Sequence, residues 1–439
     1  MRAVLDLKIP AVVSMIALAA LECCLHVPSL AAQTKPAPLI GAIHSTGQKR
    51  YAESQVISAS GLAAGQVFDV KAVEAATQKL GQSGAFEEVQ FKYGPENGQV
   101  TVEFVVKEAA RFHRCTYDNL VWASAKEIDG FLRGEIPLFD GYAPEGGDLP
   151  DEIARSLERF LQKRGIGGQV ERVQFGRTMG DRNWEHLYSV TGPVVKVQSI
   201  SFDGVKGIDE KLLGKEANAL VGRNYSLVEF RRYADASFVP IYRERGFLRV
   251  NIGNPAAGSV QPLQAPNEFA VQVTFPVEEG VAYDWDGAIW SGNRVESAAD
   301  LDTLLGVKRG ERANGKKLDA GWEAIHAAYG KNGYLEAKLE LKAVYDEASR
   351  KVGYSVPVTE GPQYRMGEFS IEGTSAAASL KGKWKLKAGD VYDASYLMEF
   401  MRAQMRFAVS TVGGQTPKIQ TSVQPDRSAH TVAVSIQVQ

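Results

Sequence analysis

Leu80-Gly81-Gln82-Ser83-Gly84-Ala85-Phe86-Glu87-Glu88-Val89 contains a helix end, a turn and the start of a strand. Leu80 closes an apolar stripe with Val70, Val73 and Thr77, spaced so that all four share one helical face. Gly84 stands where a helix C-cap takes a left-handed residue. Phe86 then opens a strand that runs on to Phe91. The phrase of glycine, bulky apolar residue and strand returns as Arg164-Gly165-Ile166 before Val170 to Phe175, and as Arg245-Gly246-Phe247-Leu248-Arg249-Val250. A fourth copy is Asn332-Gly333-Tyr334-Leu335-Glu336-Ala337. The markers Phe86, Ile166, Phe247 and Tyr334 lie 80 to 87 residues apart, a period suited to a small supersecondary unit repeated in series.

A helical stripe precedes the second and fourth glycines as well: Ile153, Leu157, Phe160 and Leu161, then Leu318, Trp322, Ile325 and Tyr329. Opening strands are expected at Ile40 to Ile43, Val197 to Phe202 and Tyr364 to Ile371, followed by turn glycines Gly47, Gly204 and Gly373. Alternating strands close the units at Val100 to Val106, Ala270 to Val277, Val352 to Val358 and Thr431 to Val438. The tags Lys107-Glu108, Glu278-Glu279-Gly280 and Thr359-Glu360-Gly361 hand over to the next unit. The order per unit is strand, helix, helix, strand, strand. The expected fold is α+β, a tandem array of about five β-α-α-β-β units, each a three-stranded sheet on two helices. The units fall at 39–109, 110–194, 195–280, 281–361 and 362–439. The second and fifth diverge: one carries a Gly/Pro-rich insertion from Gly141 to Pro150, and the other has Arg406-Phe407-Ala408-Val409 in place of the glycine phrase.

The N-terminus sets the compartment. Arg2 and Lys8 precede an apolar run from Ile9 to Leu21, and Ser29-Leu30-Ala31 supplies small residues for a signal peptidase. The run is shorter than the roughly 20 residues of a membrane span. Residues 1–31 are expected to be a cleaved secretory signal and 32–38 a Pro/Ala-rich linker, placing the mature chain in the periplasm of a bacterium with an outer membrane, without a membrane span. Of Cys23, Cys24 and Cys115, only Cys115 would survive cleavage, so no intrachain disulfide is expected.

Composition excludes further classes. Hydrophobic residues make up 44% and charged residues 23%, ordinary for globular domains, and the formal net charge of −2 argues against nucleic acid as a partner. Gly310-Glu311-Arg312-Ala313-Asn314-Gly315-Lys316-Lys317 approaches a phosphate-binding loop, but Lys317 replaces the hydroxyl that would hold Mg²⁺. His113 and Cys115 would share one strand face, two ligands short of a metal site. No catalytic constellation, metal set or cofactor motif emerges, so the chain is expected to be non-enzymatic and cofactor-free.

The order of elements, with Gly61-Leu62-Ala63-Ala64-Gly65 between helices and the glycine phrases above, resembles the polypeptide-transport-associated (POTRA) domain. Five such units in series resemble the periplasmic arm of the outer-membrane barrel-assembly insertase family, here without its barrel. The resemblance implies a protein-binding module in outer-membrane protein assembly or polypeptide transport. Its partners would be unfolded outer-membrane or secreted polypeptides, a barrel protein or other assembly subunits. An alternative is the soluble half of a split insertase pairing with a separate barrel, and a less favoured one a periplasmic enzyme. The implied mechanism is β-augmentation, in which an extended chain adds a strand to a free sheet edge. The second strand of each unit is the expected edge. It places the candidate binding residues at Val89, Gln90 and Phe91; at Val173 and Phe175; at Leu248, Arg249 and Val250; and at Leu335, Lys338 and Leu339.

Overall fold

A computed structural model describes residues 37–176, 183–373, 377–405 and 418–438. The signal at 1–31 and the Arg406 to Val409 phrase lie outside the described residues. In the first unit, β1 (Ile40–Thr46) leads through α1 (Glu53–Ser60) and α2 (Val70–Gln82) to the hairpin of β2 (Phe86–Glu96) and β3 (Gln99–Glu108). The sheet order is β1-β3-β2, with β1 parallel and β2 antiparallel to β3. β3 sits centrally because Val100, Val102, Phe104 and Val106 are all buried, one alternating row against the helices. Asp69 caps α2, its carboxylate accepting from the Lys71 N–H at 3.1 Å.

The second unit comprises β4 (Phe112–Tyr117), α3 (Ala125–Glu135), β5 (Tyr142–Pro144), α4 (Leu149–Gln162), β6 (Gln169–Phe175) and β7 (Glu185–Thr191). Its sheet has four strands, not three, in the order β5-β4-β7-β6. The fourth comes from the insertion: β5 pairs antiparallel with β4. Beyond β5, Gly147 meets Gly84 backbone to backbone, an approach that a side chain on either residue would block.

The third unit runs β8 (Val194–Asp203), α5 (Glu210–Ala217), α6 (Leu227–Tyr233), a π-helical turn (Ala234–Phe238) and α7 (Val239–Arg243). Pro240, at the start of α7, has no N–H for a helical bond, and the wide turn precedes it. The second strand is broken into β9 (Asn251–Ile252), β10 (Ala256–Ala257) and β11 (Gln261–Pro262), each bonded to β12 (Glu268–Glu278). Gly253, Pro255, Gly258 and Pro262 fall in or between these pieces and interrupt the ladder.

The fourth unit has β13 (Asp284–Ser291), α8 (Ala298–Leu305), α9 (Gly315–Lys331), β14 (Lys338–Leu339), β15 (Lys342–Asp346) and β16 (Lys351–Thr359). The fifth has β17 (Arg365–Glu372), α10 (Ala377–Lys383), α11 (Tyr396–Phe400), β18 (Ile419–Asp426) and β19 (Thr431–Val438), ordered β17-β19-β18. Among the described residues the chain is therefore an α+β tandem array of five small sheets packed with helices. Units one and two share a continuous core from Ile40 to Val190, whereas units three, four and five each have their own. Among the described residues no helix is long and apolar enough to cross a membrane.

Candidate partner-binding edges

β2 bonds only to β3, so along its eleven residues its outer backbone edge is unpaired within the sheet. Val89 and Phe91 are half-buried against the unit's core, while Gln90 between them is exposed. The apolar row continues to Tyr93, 52% exposed, whose ring lies 6.2 Å from Phe91 and 4.9 Å from Phe68. Glu87, Glu88 and Lys92 put charge along this edge, a common guard against indiscriminate pairing. β6 is likewise an outer strand, bonded only to β7. Val173 is 50% exposed there, and Phe175 lies under the Arg232 guanidinium of unit three, 5.1 Å away.

The third and fourth units depart from expectation. Leu248, Arg249 and Val250 form a turn, not an edge strand: the Leu248 N–H donates to Gly246 O at 2.9 Å and the Val250 N–H to Phe247 O at 3.3 Å. Val250 packs on the core of unit three, while Leu248 and Arg249 serve the junction with unit four. Leu248 packs on that unit's core, and Arg249 pairs with Glu347 at 2.6 Å and lies over the Tyr345 ring. Leu335 is also in a turn and packs against the core of unit five. Lys338 and Leu339 do form a strand, but one of only two residues; the longer outer segment is β15, with Val344 62% exposed. β18, not singled out from sequence, is an unbroken edge paired to β19 along eight residues. Its alternation of Ile419, Thr421 and Val423 before Pro425-Asp426 was the available signal.

The junctions repeat one bond. Gly246 O accepts from the Tyr283 N–H at 2.9 Å, and Gly333 O from the Tyr364 N–H at 2.8 Å. Both glycines have positive φ, and a side chain at either would strike the same tyrosine's carbonyl. Each tyrosine hydroxyl then donates to a carboxylate, Tyr283 to Glu347 at 2.8 Å and Tyr364 to Glu336 at 3.0 Å. The loop from Gly310 to Lys317 belongs to this scaffold. Arg312 pairs with Asp284 and Lys316 with Glu244, while the Asn314 side chain caps α9 by accepting from the Lys317 N–H.

Three titratable side chains of unit two, His113, Cys115 and His186, are buried. His113 stacks on Trp184 with ring centres 3.6 Å apart and bonds Trp184 O through Nδ1. Burial pushes the Cys115 thiol up to about 12, which suppresses the reactive thiolate. Burial first, then the nearby Arg172 charge, pulls His186 down to about 4. Among the described residues no three His, Cys, Asp or Glu side chains are grouped to hold a metal ion.

The family model for POTRA, described as "Surface antigen variable number repeat", matches residues 38–109 and 285–361, the first and fourth units. The first and fourth units are thus similar to POTRA domains. A protein named "Putative outer membrane protein assembly factor" in Treponema pallidum (strain Nichols) is 26% identical over 378 residues. That match takes in 83% of this chain and 44% of the relative, so this chain spans less than half of that protein's length. Among solved structures, BamA POTRA3-5 of Haemophilus influenzae gives a TM-score of 0.44 at 21% identity, covering 56% of this chain and 96% of that one. The N-terminal domain of Omp85 from Thermosynechococcus elongatus gives 0.24 at 16% identity, covering 56% and 97%.

Proposed function

We propose that this POTRA array is a non-catalytic periplasmic arm in outer-membrane protein assembly, holding extended polypeptides or partner subunits by strand addition. The relative named as an assembly factor supports the process. The observation that carries the mechanism is β2: eleven residues bonded on one side only, with the row of Val89, Phe91 and Tyr93 beside the free edge. An incoming strand would bond the β2 backbone whatever its sequence, and alternate side chains would meet that apolar row. β6 and β18 offer the same backbone, whereas the broken second strand of unit three does not.

The test is photo-crosslinking in cells from probes at Gln90 and Val173, with Arg249 as the internal control because it lies in a junction turn. Products with many outer-membrane precursors at Gln90 or Val173, and few at Arg249, are the expected result. One barrel protein as the sole product would identify a split insertase. Equal yields from all three positions, or none from a correctly exported chain, would overturn strand addition.

A further inference from the structure

Residues 381–387 read Lys-Gly-Lys-Trp-Lys-Leu-Lys, the densest run of one charge in the described part of the chain. Trp384 and Leu386 are half-buried and pack against the core of unit five, with the Trp384 ring stacked on Phe369 at 4.0 Å. The residues that alternate with them, Lys383, Lys385 and Lys387, are exposed, as is Lys381 one step back. Among the described residues none of these four lysines pairs with a carboxylate. Lys381 and Lys383 lie in the last turn of α10, where a cation offsets the helix C-terminal charge. That role does not reach Lys385 and Lys387. Their backbone is held by other bonds: the Lys385 N–H donates to the Tyr396 hydroxyl at 2.9 Å and the Lys387 N–H to Asp390 at 2.7 Å.

We infer that this lysine row docks unit five on an anionic lipid surface. The inference rests on the proposed periplasmic location, which sets the chain beside a membrane. Charge complementarity carries it: the chain as a whole is slightly acidic, so a local excess of unneutralised ammonium groups stands out from its surroundings. The anchoring of Trp384 and Leu386 in the core holds the lysines outward on a folded surface. Such a row suits many laterally spread phosphates. Lysines close to an anionic bilayer each contribute roughly fivefold in partition, the equivalent of about 1 kcal/mol.

The test is co-sedimentation of the full mature chain with phosphatidylcholine vesicles, with and without phosphatidylglycerol, at low and high salt. Wild type is expected to bind only the anionic vesicles and to be released by salt. Replacing Lys383, Lys385 and Lys387 by Gln should lower the partition on the order of 100-fold. The same change at Lys206, Lys211 and Lys215 in unit three should leave it nearly intact. An unchanged urea unfolding midpoint shows that the unit-five variant folds. No binding by wild type, equal binding by the unit-five variant, or equal loss in the unit-three variant would each overturn the inference. Tighter binding of soluble polyglutamate than of vesicles would also overturn it, in favour of an acidic protein partner. Crosslinking from Gln90 in the unit-five variant separates the two readings: lost vesicle binding with crosslinks retained leaves strand addition standing.

Discussion

Asn119 holds Val190 at both ends of its side-chain amide: Oδ1 accepts from the Val190 N–H at 2.8 Å and Nδ2 donates to the Val190 carbonyl at 2.9 Å. In the other four units this place, just past the opening strand, belongs to a positive-φ glycine pressed on the closing strand's carbonyl. The pairs are Gly47 with Val106, Gly204 with Val277, Gly292 with Val358 and Gly373 with Val438. Unit two reaches the same closure with a side chain. Asn119→Ala would leave the buried Val190 backbone without either partner and should destabilise unit two by about 1–3 kcal/mol. Asn119→Asp keeps the acceptor but turns a carboxylate oxygen toward the Val190 carbonyl, so it should rescue only part of the loss. Urea unfolding of the three proteins checks the order.

The shared core of units one and two predicts coupled unfolding. Tyr51 of unit one packs edge-on to Phe112 of unit two, and Arg50 pairs with Asp140 at 2.6 Å while lying over the Phe112 ring. Leu80→Ala opens a cavity in unit one and should cost about 2–5 kcal/mol. Amide-exchange protection should fall in β4 and β7 of unit two as well as in β1 and β3. Ile325→Ala, in the separate core of unit four, should leave β4 and β7 unchanged. Loss confined to unit one in the Leu80 variant would show that the two halves open independently.

The array was legible from sequence because its signals are local and periodic. Gly84, Gly165, Gly246 and Gly333 all take the left-handed conformation expected of them, and the stripe of Leu318, Trp322, Ile325 and Tyr329 is buried as its spacing implies. What stayed hidden depends on contacts between units. Leu248 and Leu335 look like strand residues by type, yet the next unit's core takes both side chains, and no periodicity inside one unit reports that. The closing tags carried meaning that spacing alone did not reveal. Glu108 accepts from the N–H groups of Lys49, Arg50 and Tyr51, Glu279 from those of Lys206 and Gly207, and Glu360 from those of Arg294 and Val295. Each carboxylate ties down the loop after its own unit's first strand, which explains a glutamate at the same phase in three units.

Asp118 links units two and three, and its protonation gives that junction a pH dependence. Its carboxylate accepts from the Ser226 hydroxyl at 2.9 Å and from the Val228 N–H at 3.0 Å, fastening the start of α6. Burial raises its pKa despite those two bonds. Above the unfolded value of 3.8, the folded chain keeps the proton longer than the unfolded one. Stability therefore falls as pH rises through the raised value, and the ionised form carries a cost at neutral pH. Asp118→Asn keeps an acceptor and removes the charge, so at pH 7 it should be at least as stable as wild type. That advantage should vanish below the unfolded pKa, where both side chains are neutral. Asp118→Ala should lose about 1–3 kcal/mol at every pH, because the Ser226 hydroxyl and the Val228 N–H both lose their acceptor. Urea midpoints of the three proteins across this range test the assignment; a wild type more stable than Asp118→Asn at pH 7 would contradict it.

His186 acts in the opposite sense. Its Nε2–H donates to Pro144 O at 2.9 Å, and Nδ1 faces the Arg172 guanidinium at 3.4 Å, an arrangement that suits the neutral ring. A proton on Nδ1 would set two donors against each other in a buried site. With the folded pKa near 4 and the unfolded value at 6.5, the unfolded chain binds the extra proton first. The stabilisation is complete above 6.5 and is lost as pH falls from there to about 4, by up to roughly 3 kcal/mol. His186→Gln can still donate to Pro144 O but does not titrate. Between pH 7 and pH 4.5 its urea midpoint should therefore fall less steeply than that of wild type. The His186 ring proton resonances should show no titration step above pH 5 in the folded protein. A midpoint near 6.5 in those resonances would mean that the site admits water and that Arg172 does not oppose the charge.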